Sequence, residues 1–422
     1  MSFERFRTWC DDTLPHPTFI LVPEEKSIKP RSLSGPGGTS ILTSLPPLSL
    51  YVHVPWCVRK CPYCDFNSHE LKTDVPEDAY LAALQADLEQ ALPLVWGRQV
   101  ISIFIGGGTP SLLSAHAVDR MLSLFRAYLN ILPDAEVTLE ANPGAAEAGR
   151  FKDYAASGVN RISIGIQSFN DQALKALGRI HDSRQARAAV AMAQAAVDQV
   201  NLDIMYALPG QSLQDCAQDL ELAMSFQTGH LSLYHLTLEP NTVFAKYPPA
   251  LPDDDASAAM QDLVTEHTAA GGWERYEVSA YARPGQQCRH NLNYWEFGDY
   301  LGVGPGAHGK LSFHDKIIRQ SRLKNPTSWM EKAARRDGSH LAEDKEVAST
   351  DLAFEFMLNA LRLKAGVSSS TFTERTGLSI TSIMPAIDRA VARGLLDPDP
   401  SRLRASERGW EFLNDLLAEF LP

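Results

Sequence analysis

Residues 51–69 read YVHVPWCVRKCPYCDFNSH and place three cysteines on a short stretch that directly follows an apolar run. Their spacing is C-x3-C-x2-C, at Cys57, Cys61 and Cys64. Three thiolates on one loop can converge on a single metal centre. A structural zinc site normally takes a fourth ligand, which His53 or His69 could supply. The stretch therefore predicts a metal centre, and zinc stays open at this point.

An iron–sulfur cluster is the other candidate for this loop. Clusters that only transfer electrons usually have four protein ligands. Three cysteines instead suit a 4Fe–4S cluster that keeps one iron open for a substrate or cofactor. The missing fourth cysteine is therefore a functional indication, and the rest of the chain has to decide between zinc and iron.

Composition excludes several classes of protein. The chain has 422 residues, 44% of them hydrophobic, and a formal charge of −12. A general nucleic-acid binder is not expected, because phosphate binding needs concentrated positive charge. We find no apolar run of about 18 residues, the length that predicts a membrane span, and no secretory signal at the N-terminus. Few, clustered cysteines indicate a reducing cytoplasm.

Six short apolar runs alternate with helical patterns, which is typical of parallel βα units. The runs are SLYVHV (49–54), VISIFI (100–105), EVTLEA (136–141), RISIGI (161–166), VNLDIMYA (200–207) and HLSLYHLTL (230–238). Helices are predicted over 77–92 and 174–197. Six units are too few for a closed eight-fold barrel. The sequence therefore predicts an α/β fold with an open, partial (β/α)6 barrel.

The pattern changes after Gly309. Helices are predicted over 350–363, 380–393 and 406–420, with a short hairpin, GLLDPDPSRLRAS, between the last two. This order is typical of a mainly helical, winged-helix-like domain, and its acidic balance favours a scaffold over DNA binding. We predict three parts: a loosely ordered extension over 1–46, a core domain over 47–309 and a C-terminal helical domain over 310–422.

Polar residues stand at the ends of the predicted strands, where barrel-like α/β folds gather their chemistry. The second run leads into GGGTP (106–110), whose glycines let main-chain N–H groups approach a ligand. Glu140 ends the third strand and Gln167 the fourth, and Arg179 is predicted in the following helix. Asp203 lies inside an apolar strand, where a carboxylate is costly unless paired or bound. We expect these residues to form one site.

The chain from about Leu48 onward resembles radical S-adenosylmethionine (SAM) proteins, in which three cysteines hold a 4Fe–4S cluster and SAM chelates its open iron. Tyr63, just before the third cysteine, belongs to that resemblance. Within the superfamily the chain looks like the coproporphyrinogen III oxidase-like subfamily, which includes oxygen-independent dehydrogenases and the heme chaperones of the HemW group. The resemblance implies that the three cysteines are metal ligands. It assigns SAM contacts to Tyr51, Tyr63, Gly107, Gly108, Thr109, Glu140, Gln167, Arg179 and Asp203, with Tyr234 a less certain match.

Two stretches make the chain more similar to the chaperones than to the dehydrogenases. The dehydrogenases of this subfamily have the cysteine pattern C-x3-C-x2-C-x-C. This chain has Phe66 in place of the fourth cysteine. The stretch CRHNLNYW resembles the heme-associated motif H-N-x-x-Y-W. A neutral imidazole at His290 is a suitable axial ligand for heme iron. The thiolate of Cys288 is an alternative ligand, and a hydrogen-bonded histidine in an aromatic capping loop is the purely structural alternative.

The sequence thus predicts a cytoplasmic heme chaperone that binds a 4Fe–4S cluster, SAM and heme. The alternative is oxidative decarboxylation of the propionates of coproporphyrinogen III to vinyl groups, so the question of enzyme activity stays open. The resemblance implies delivery of heme to acceptor hemoproteins such as respiratory enzymes, with no nucleic acid involved. It also implies a homodimer in this group, and it allows peripheral membrane association through partners.

Overall fold

The structure is a computed structural model that describes residues 42–144 and 149–422. The predicted N-terminal extension, 1–46, lies outside the described residues except for 42–46. The strands are β1 (Leu48–Val54), β2 (Trp56–Cys57), β3 (His69–Glu70), β4 (Gln99–Gly107), β5 (Asn130–Ala141), β6 (Arg161–Gln167), β7 (Gln199–Tyr206), β8 (His230–His235), β9 (Glu274–Arg275), β10 (Ala280–Ala282), β11 (Asp299–Val303), β12 (His308–Ser312), β13 (Ile317–Arg322), β14 (Leu341–Glu346), β15 (Val367–Ser368) and β16 (Arg402–Leu403).

Helices connect the strands of this sheet, and further helices make up most of the chain after β14. They are α1 (Glu77–Val95), α2 (Ala115–Tyr128), α3 (Phe151–Ser157), α4 (Asp171–Ala176), α5 (Ser183–Gln194), α6 (Leu213–Ser225), α7 (Val243–Lys246), α8 (Asp254–Ala270), α9 (Arg289–Trp295), α10 (Pro326–Ala333), α11 (Ser349–Ala360), α12 (Ser369–Thr376), α13 (Met384–Ala392), α14 (Glu407–Glu411) and α15 (Leu413–Ala418). Among the described residues, no helix combines the length and apolarity needed to cross a bilayer.

The six predicted strands form the centre of the fold. The strands β1, β4, β5, β6, β7 and β8 are parallel neighbours in that order. Along β1, Leu50 and Val52 are fully buried in the core that α1 and α2 share, while Tyr51 and His53 point to the other face because side chains alternate along a strand. The α/β fold with a partial six-fold barrel is therefore confirmed, and polar side chains line its inner face.

The sheet is larger than the sequence predicted, with 12 strands in all. The strand β11 pairs in parallel with β1, and β12, β13 and β14 continue the sheet antiparallel. On the other edge, β10 and β9 follow β8. The sheet thus continues beyond Gly309, where the sequence pattern changes, as far as Glu346. The domain limits 47–309 and 310–422 remain a prediction.

One helix prediction is wrong. Residues 174–197 form parts of two helices, α4 and α5, rather than one. Gly178 adopts a left-handed φ of 69°, which interrupts the helical path. The capping box between Asp182 and Gln185 then starts α5. Arg179 consequently lies in the loop between the helices and not in a helix.

The C-terminal part contains the three predicted helical regions and two helices, α10 and α12, that the sequence pattern did not predict. The third region, 406–420, is divided at Phe412 into α14 and α15. An antiparallel bridge between Leu396 and Ala405 closes the predicted hairpin, and β16 pairs with β15 in front of α12. Buried aromatic residues such as Phe354 and Phe372 form its core. This arrangement is the winged-helix-like pattern that was expected.

Candidate metal and cofactor site

The cysteine loop joins β2 to β3, which pair in parallel and hold its two ends together. All three thiols are free, and their residues are partly buried. Each sulfur has at least one polar partner. The Thr109 hydroxyl donates to Cys57 Sγ at 3.5 Å, and Arg179 Nη1 donates to Cys61 Sγ at 3.5 Å. The third partner is Ser68, whose hydroxyl lies 3.8 Å from Cys64 Sγ.

This donor set fits an iron–sulfur cluster. Burial raises the pKa of the Cys57 thiol and raises that of Cys64 to about 11, so both are protonated thiols without a metal. A bound metal ion deprotonates such ligands outright. The hydroxyl and guanidinium donors would then stabilise thiolate charge, because hydrogen bonds to cluster sulfurs are a means by which proteins tune iron–sulfur centres. Three thiols with such donors suit a three-ligand cluster.

The two histidines that could complete a zinc site are engaged elsewhere. His53 Nε2 lies 2.9 Å from the main-chain oxygen of Asn67, and its Nδ1 lies 2.8 Å from the Tyr51 hydroxyl. His69 Nε2 lies 3.2 Å from both the main-chain oxygen of Lys324 and the side-chain oxygen of Asn67. Both side chains are therefore part of the scaffold around the loop. This geometry favours the three-cysteine cluster over zinc.

The glycines after β4 fit closely against the start of the cysteine loop. Gly107 has a φ of 113°, and a Cβ there would lie 2.7 Å from the His53 ring. A Cβ on Gly108 would lie 2.6 Å from the main-chain oxygen of Trp56. The Gly107 N–H donates to Glu140 Oε2 at 3.0 Å. Glycine at both positions is thus required by close packing of the backbone, whatever ligand the turn also contacts.

Arg179 is the centre of the polar network beside the cysteines. Its Nη2 donates to Asn142 Oδ1 at 2.6 Å and to the Gly165 carbonyl at 2.7 Å. The Asn142 amide in turn donates to Thr109 Oγ1 at 2.9 Å. Asn142 was not among the site residues predicted from the sequence. Its position two residues after Glu140 was an available signal, because residues i and i+2 share a face at the end of a strand.

Two carboxyl groups, Glu140 and Asp203, face the interior of the barrel. Burial raises the pKa of Glu140 to about 8, and the charge of Asp203 adds to the rise. Burial also raises the pKa of Asp203 to about 6, although hydrogen bonds from Ser163 and Asn201 counteract it. The nearby Arg179 guanidinium also counteracts the rise in the pKa of Asp203. Such a pair of carboxyl groups is suited to binding hydroxyl or cationic groups. These groups would offset the free-energy cost of ionising the buried carboxyls.

The remaining residues assigned to SAM lie at the same end of the barrel. Gln167, at the end of β6, has a left-handed φ of 67°, a strained conformation for a residue other than glycine. The Tyr63 ring packs against Phe244 at 6.3 Å and lies beside Arg179. Tyr51 lies deeper, where its ring stacks on Phe104 at 5.9 Å. Burial, together with the nearby charge of Asp203, raises the pKa of Tyr234 on β8.

His290 does not join this group. It lies on α9 with an exposed fraction of 5%, and its ring stacks on Phe104 at 4.5 Å. Its Nδ1 lies 2.6 Å from Glu136 Oε1. Glu136 precedes Glu140 by four residues on β5, which corresponds to about 13 Å along a strand. His290 therefore lies inside the barrel, toward the amino ends of the strands and away from the cysteine loop.

Cys288, the other candidate heme ligand, is also buried beside Glu136. Donor atoms of Glu136, Cys288 and His290 lie within 4.8 Å of one another. Burial raises the pKa of the Cys288 thiol to about 12. Glu136 already accepts from Arg161 Nε at 3.0 Å, and although burial opposes its ionisation, His290 and Arg161 hold its pKa below the usual range. The trio is thus part of a buried ion-pair network.

Comparisons with known proteins identify the family of the chain. Residues 51–223 match the family described as the Radical SAM superfamily, and residues 347–412 match the HemN C-terminal domain. The chain is 48% identical over 382 residues to the heme chaperone HemW of Escherichia coli (strain K12), which covers 90% of this chain and 100% of that protein. The chain belongs to the HemW family.

A second relative and one solved structure extend these comparisons. The heme chaperone HemW of Haemophilus influenzae is 46% identical over 386 residues, with 90% of this chain and 99% of that protein covered. The structure of coproporphyrinogen III oxidase (HemN) from Escherichia coli, described as a radical SAM enzyme, superposes with a TM-score of 0.76 at 22% identity, over 89% of this chain and 90% of that chain. The likeness to HemN supports the fold alone.

Proposed function

We propose that Cys57, Cys61 and Cys64 hold a 4Fe–4S cluster and that SAM binds between this cluster and the carboxyl ends of the strands. The observation that carries the proposal is the convergence of Thr109 and Arg179 on the sulfurs of the first two cysteines, both at 3.5 Å. When bound, the cluster would supply an electron to SAM through its open iron.

The chain's own residues would bind and orient SAM. Asn142 holds Arg179 and Thr109 in place, and both of these then fix the thiolates. Glu140 and Asp203 face the barrel interior beside Arg179. A ligand with hydroxyl groups and an amino group could satisfy both carboxyls. We propose the positions assigned by resemblance as these contacts: Tyr51, Tyr63, Gly107, Gly108, Thr109, Glu140, Gln167, Arg179 and Asp203.

We further propose that the chain is a heme chaperone that passes heme to acceptor hemoproteins in the cytoplasm. The support is the similarity to the HemW relatives over nearly their whole length. Phe66 adds to it, because a phenylalanine in place of a fourth cysteine cannot ligate iron or relay a proton. Homodimerisation and membrane association through partners are further proposals from the family.

We propose His290 as the axial ligand of heme iron. The position of its ring determines which atom could bind iron and what must move first. Its Nδ1 is bonded to a carboxylate, as is common in metal-ligating histidines, so Nε2 would be the atom that meets iron. Because the ring is buried against Phe104, α9 must move away from the barrel before heme can reach it. Amide hydrogen exchange over α9 should therefore rise when heme binds, and His290→Ala should weaken heme binding more than Cys288→Ala does.

The second candidate function is the dehydrogenase. The complete set of residues assigned to SAM favours it, since a carrier has no evident need of a radical-generating site. The experiment uses anaerobically reconstituted protein with dithionite, SAM and coproporphyrinogen III, and quantifies protoporphyrinogen and 5′-deoxyadenosine in one sample. Many turnovers to vinyl product would overturn the chaperone proposal. An intact cluster and heme binding without such product would support it.

A further inference from the structure

Asn67 joins the cysteine loop to two loops that are distant in sequence. It lies three residues after Cys64. Its side-chain amide donates to the carbonyl oxygen of Pro305 and to that of Lys324, both at 2.9 Å. Its own main-chain oxygen lies 2.9 Å from His53 Nε2. The end of the cysteine loop is thus fastened to the β11–β12 loop, the β13–α10 loop and strand β1.

Glycines in the β11–β12 loop make this contact sterically possible. Gly306 has a φ of 81°, and a Cβ there would lie 2.3 Å from Asn67 Nδ2. Gly304 has a φ of 102°, and a Cβ there would lie 2.5 Å from the main-chain oxygen of His53. The stretch GVGPG (302–306) therefore packs closely against Asn67 and His53.

The β11–β12 loop is hydrogen-bonded to a buried carboxylate on its other side. Asp87, fully buried on α1, accepts from the Gly304 N–H at 3.1 Å. It also accepts from Arg322 Nη2 at 3.2 Å and lies 3.1 Å from His340 Nε2. The loop that Asn67 contacts is therefore hydrogen-bonded to a buried carboxylate in the core. The ion pairs of Asp87 oppose movement of this loop and of Asn67.

We infer that Asn67 is a positioning residue for the cluster: its clamp on Pro305 and Lys324 holds the loop that carries the third cysteine ligand against the barrel. This inference rests on the proposed cluster, because it concerns how firmly the cluster is held. Asn67 donates to no sulfur in these contacts and acts through the loop. Removal of residues that orient metal ligands typically costs about 10-fold to 100-fold in metal affinity.

The test compares full-length Asn67→Ala with Asn160→Ala. Asn160 is a matched control, because its side chain also bridges two main-chain groups, at Ala135 and Val137, near the amino ends of the strands. After anaerobic reconstitution, iron release to a chelator and the electron paramagnetic resonance spectrum of the reduced cluster are measured. We expect release from Asn67→Ala at least about 10-fold faster than from the wild type, with an altered spectrum, and wild-type behaviour for Asn160→Ala.

A second pair of variants keeps the inference falsifiable if Asn67→Ala folds poorly. Gly306→Ala adds both a strained φ and the clash with Asn67, whereas Gly338→Ala adds strain at a φ of 80° with nothing within 4 Å. We expect faster iron release only in Gly306→Ala. In the Asn67→Ala background, adding Gly306→Ala should raise the release rate by a smaller factor than it does in the wild type, because the clashing amide is then absent.

The outcomes separate the two levels of inference. Iron release from Asn67→Ala at the wild-type rate, or equal release from Gly306→Ala and Gly338→Ala, would overturn the clamp and leave the proposed cluster intact. A wild-type protein that takes up no iron or sulfide would instead overturn the proposed function and the clamp with it. A large fall in the melting temperature of cluster-free Asn67→Ala, together with equal iron release from Gly306→Ala and Gly338→Ala, would show a general folding role and contradict the inference.

Discussion

Replacing Glu140 by glutamine should stabilise the cluster-free, SAM-free protein at alkaline pH. The pKa of this carboxyl rises from the ordinary 4.5 to about 8 in the fold. A group with a raised pKa favours the fold while it is protonated and disfavours it once ionised. The stability of the wild type should therefore fall as pH rises from about 4.5 to about 8, and Glu140→Gln removes this loss.

The size of the effect follows from the same values. The difference between 8 and 4.5, at about 1.4 kcal/mol per pH unit, sets an upper limit of about 5 kcal/mol. Glu140 is only partly buried, so solvent in the barrel reduces the penalty for its charge. We expect about 2 kcal/mol at pH 9. The glutamine oxygen can still accept from the Gly107 N–H, which keeps the local geometry.

The assay is urea unfolding followed by tryptophan fluorescence at pH 5.5 and pH 9. Glu136→Gln is the control on the same strand, because the pKa of Glu136 lies below its usual range and the carboxylate stays ionised at both values. Its substitution should destabilise the protein at both pH values, whereas Glu140→Gln should stabilise it at pH 9. If the difference between Glu140→Gln and the wild type does not grow with pH, the assignment of a raised pKa is refuted.

Three further predictions concern the cluster and the core. Cys57→Ala should abolish stoichiometric iron and sulfide, whereas Cys216→Ala, a buried cysteine away from the loop, should keep both; retention of a full cluster by Cys57→Ala would contradict the ligand set. Lys310→Met should lower the free energy of unfolding in urea by about 3–5 kcal/mol, because it removes a cation paired with the buried Asp299. The control Lys345→Met, at an exposed ion pair, should lower it by at most about 1 kcal/mol. Phe66→Cys should leave iron per chain unchanged, because it alters none of the three proposed ligands and keeps the main-chain carbonyl that accepts from Lys60. A changed iron content would show that position 66 reaches the cluster.

Local sequence patterns were sufficient for the centre of the fold and for the cysteine loop. The alternation of apolar runs with helical stripes predicted β1 and β4 to β8, because burial of both faces of a parallel strand leaves a mark within a few residues. The three cysteines proposed as ligands and the polar residues Glu140 and Asp203 near the strand ends could likewise be identified from the sequence. Each of these signals lies within one element or one loop.

Tertiary contacts decided the rest. Arg179 reaches Cys61 across 118 positions, and Asn67 reaches Pro305 across 238, so no local pattern could indicate either contact. The stretch CRHNLNYW gave no sign that His290 would be buried against Phe104, because the environment of His290 is supplied by β4 and β5. The sequence by itself determined which residues we propose for the metal chemistry, since residue type and spacing are local properties of the chain. Only the packed structure determined how those residues are held, because hydrogen bonds between distant loops depend on how the sheet brings them together.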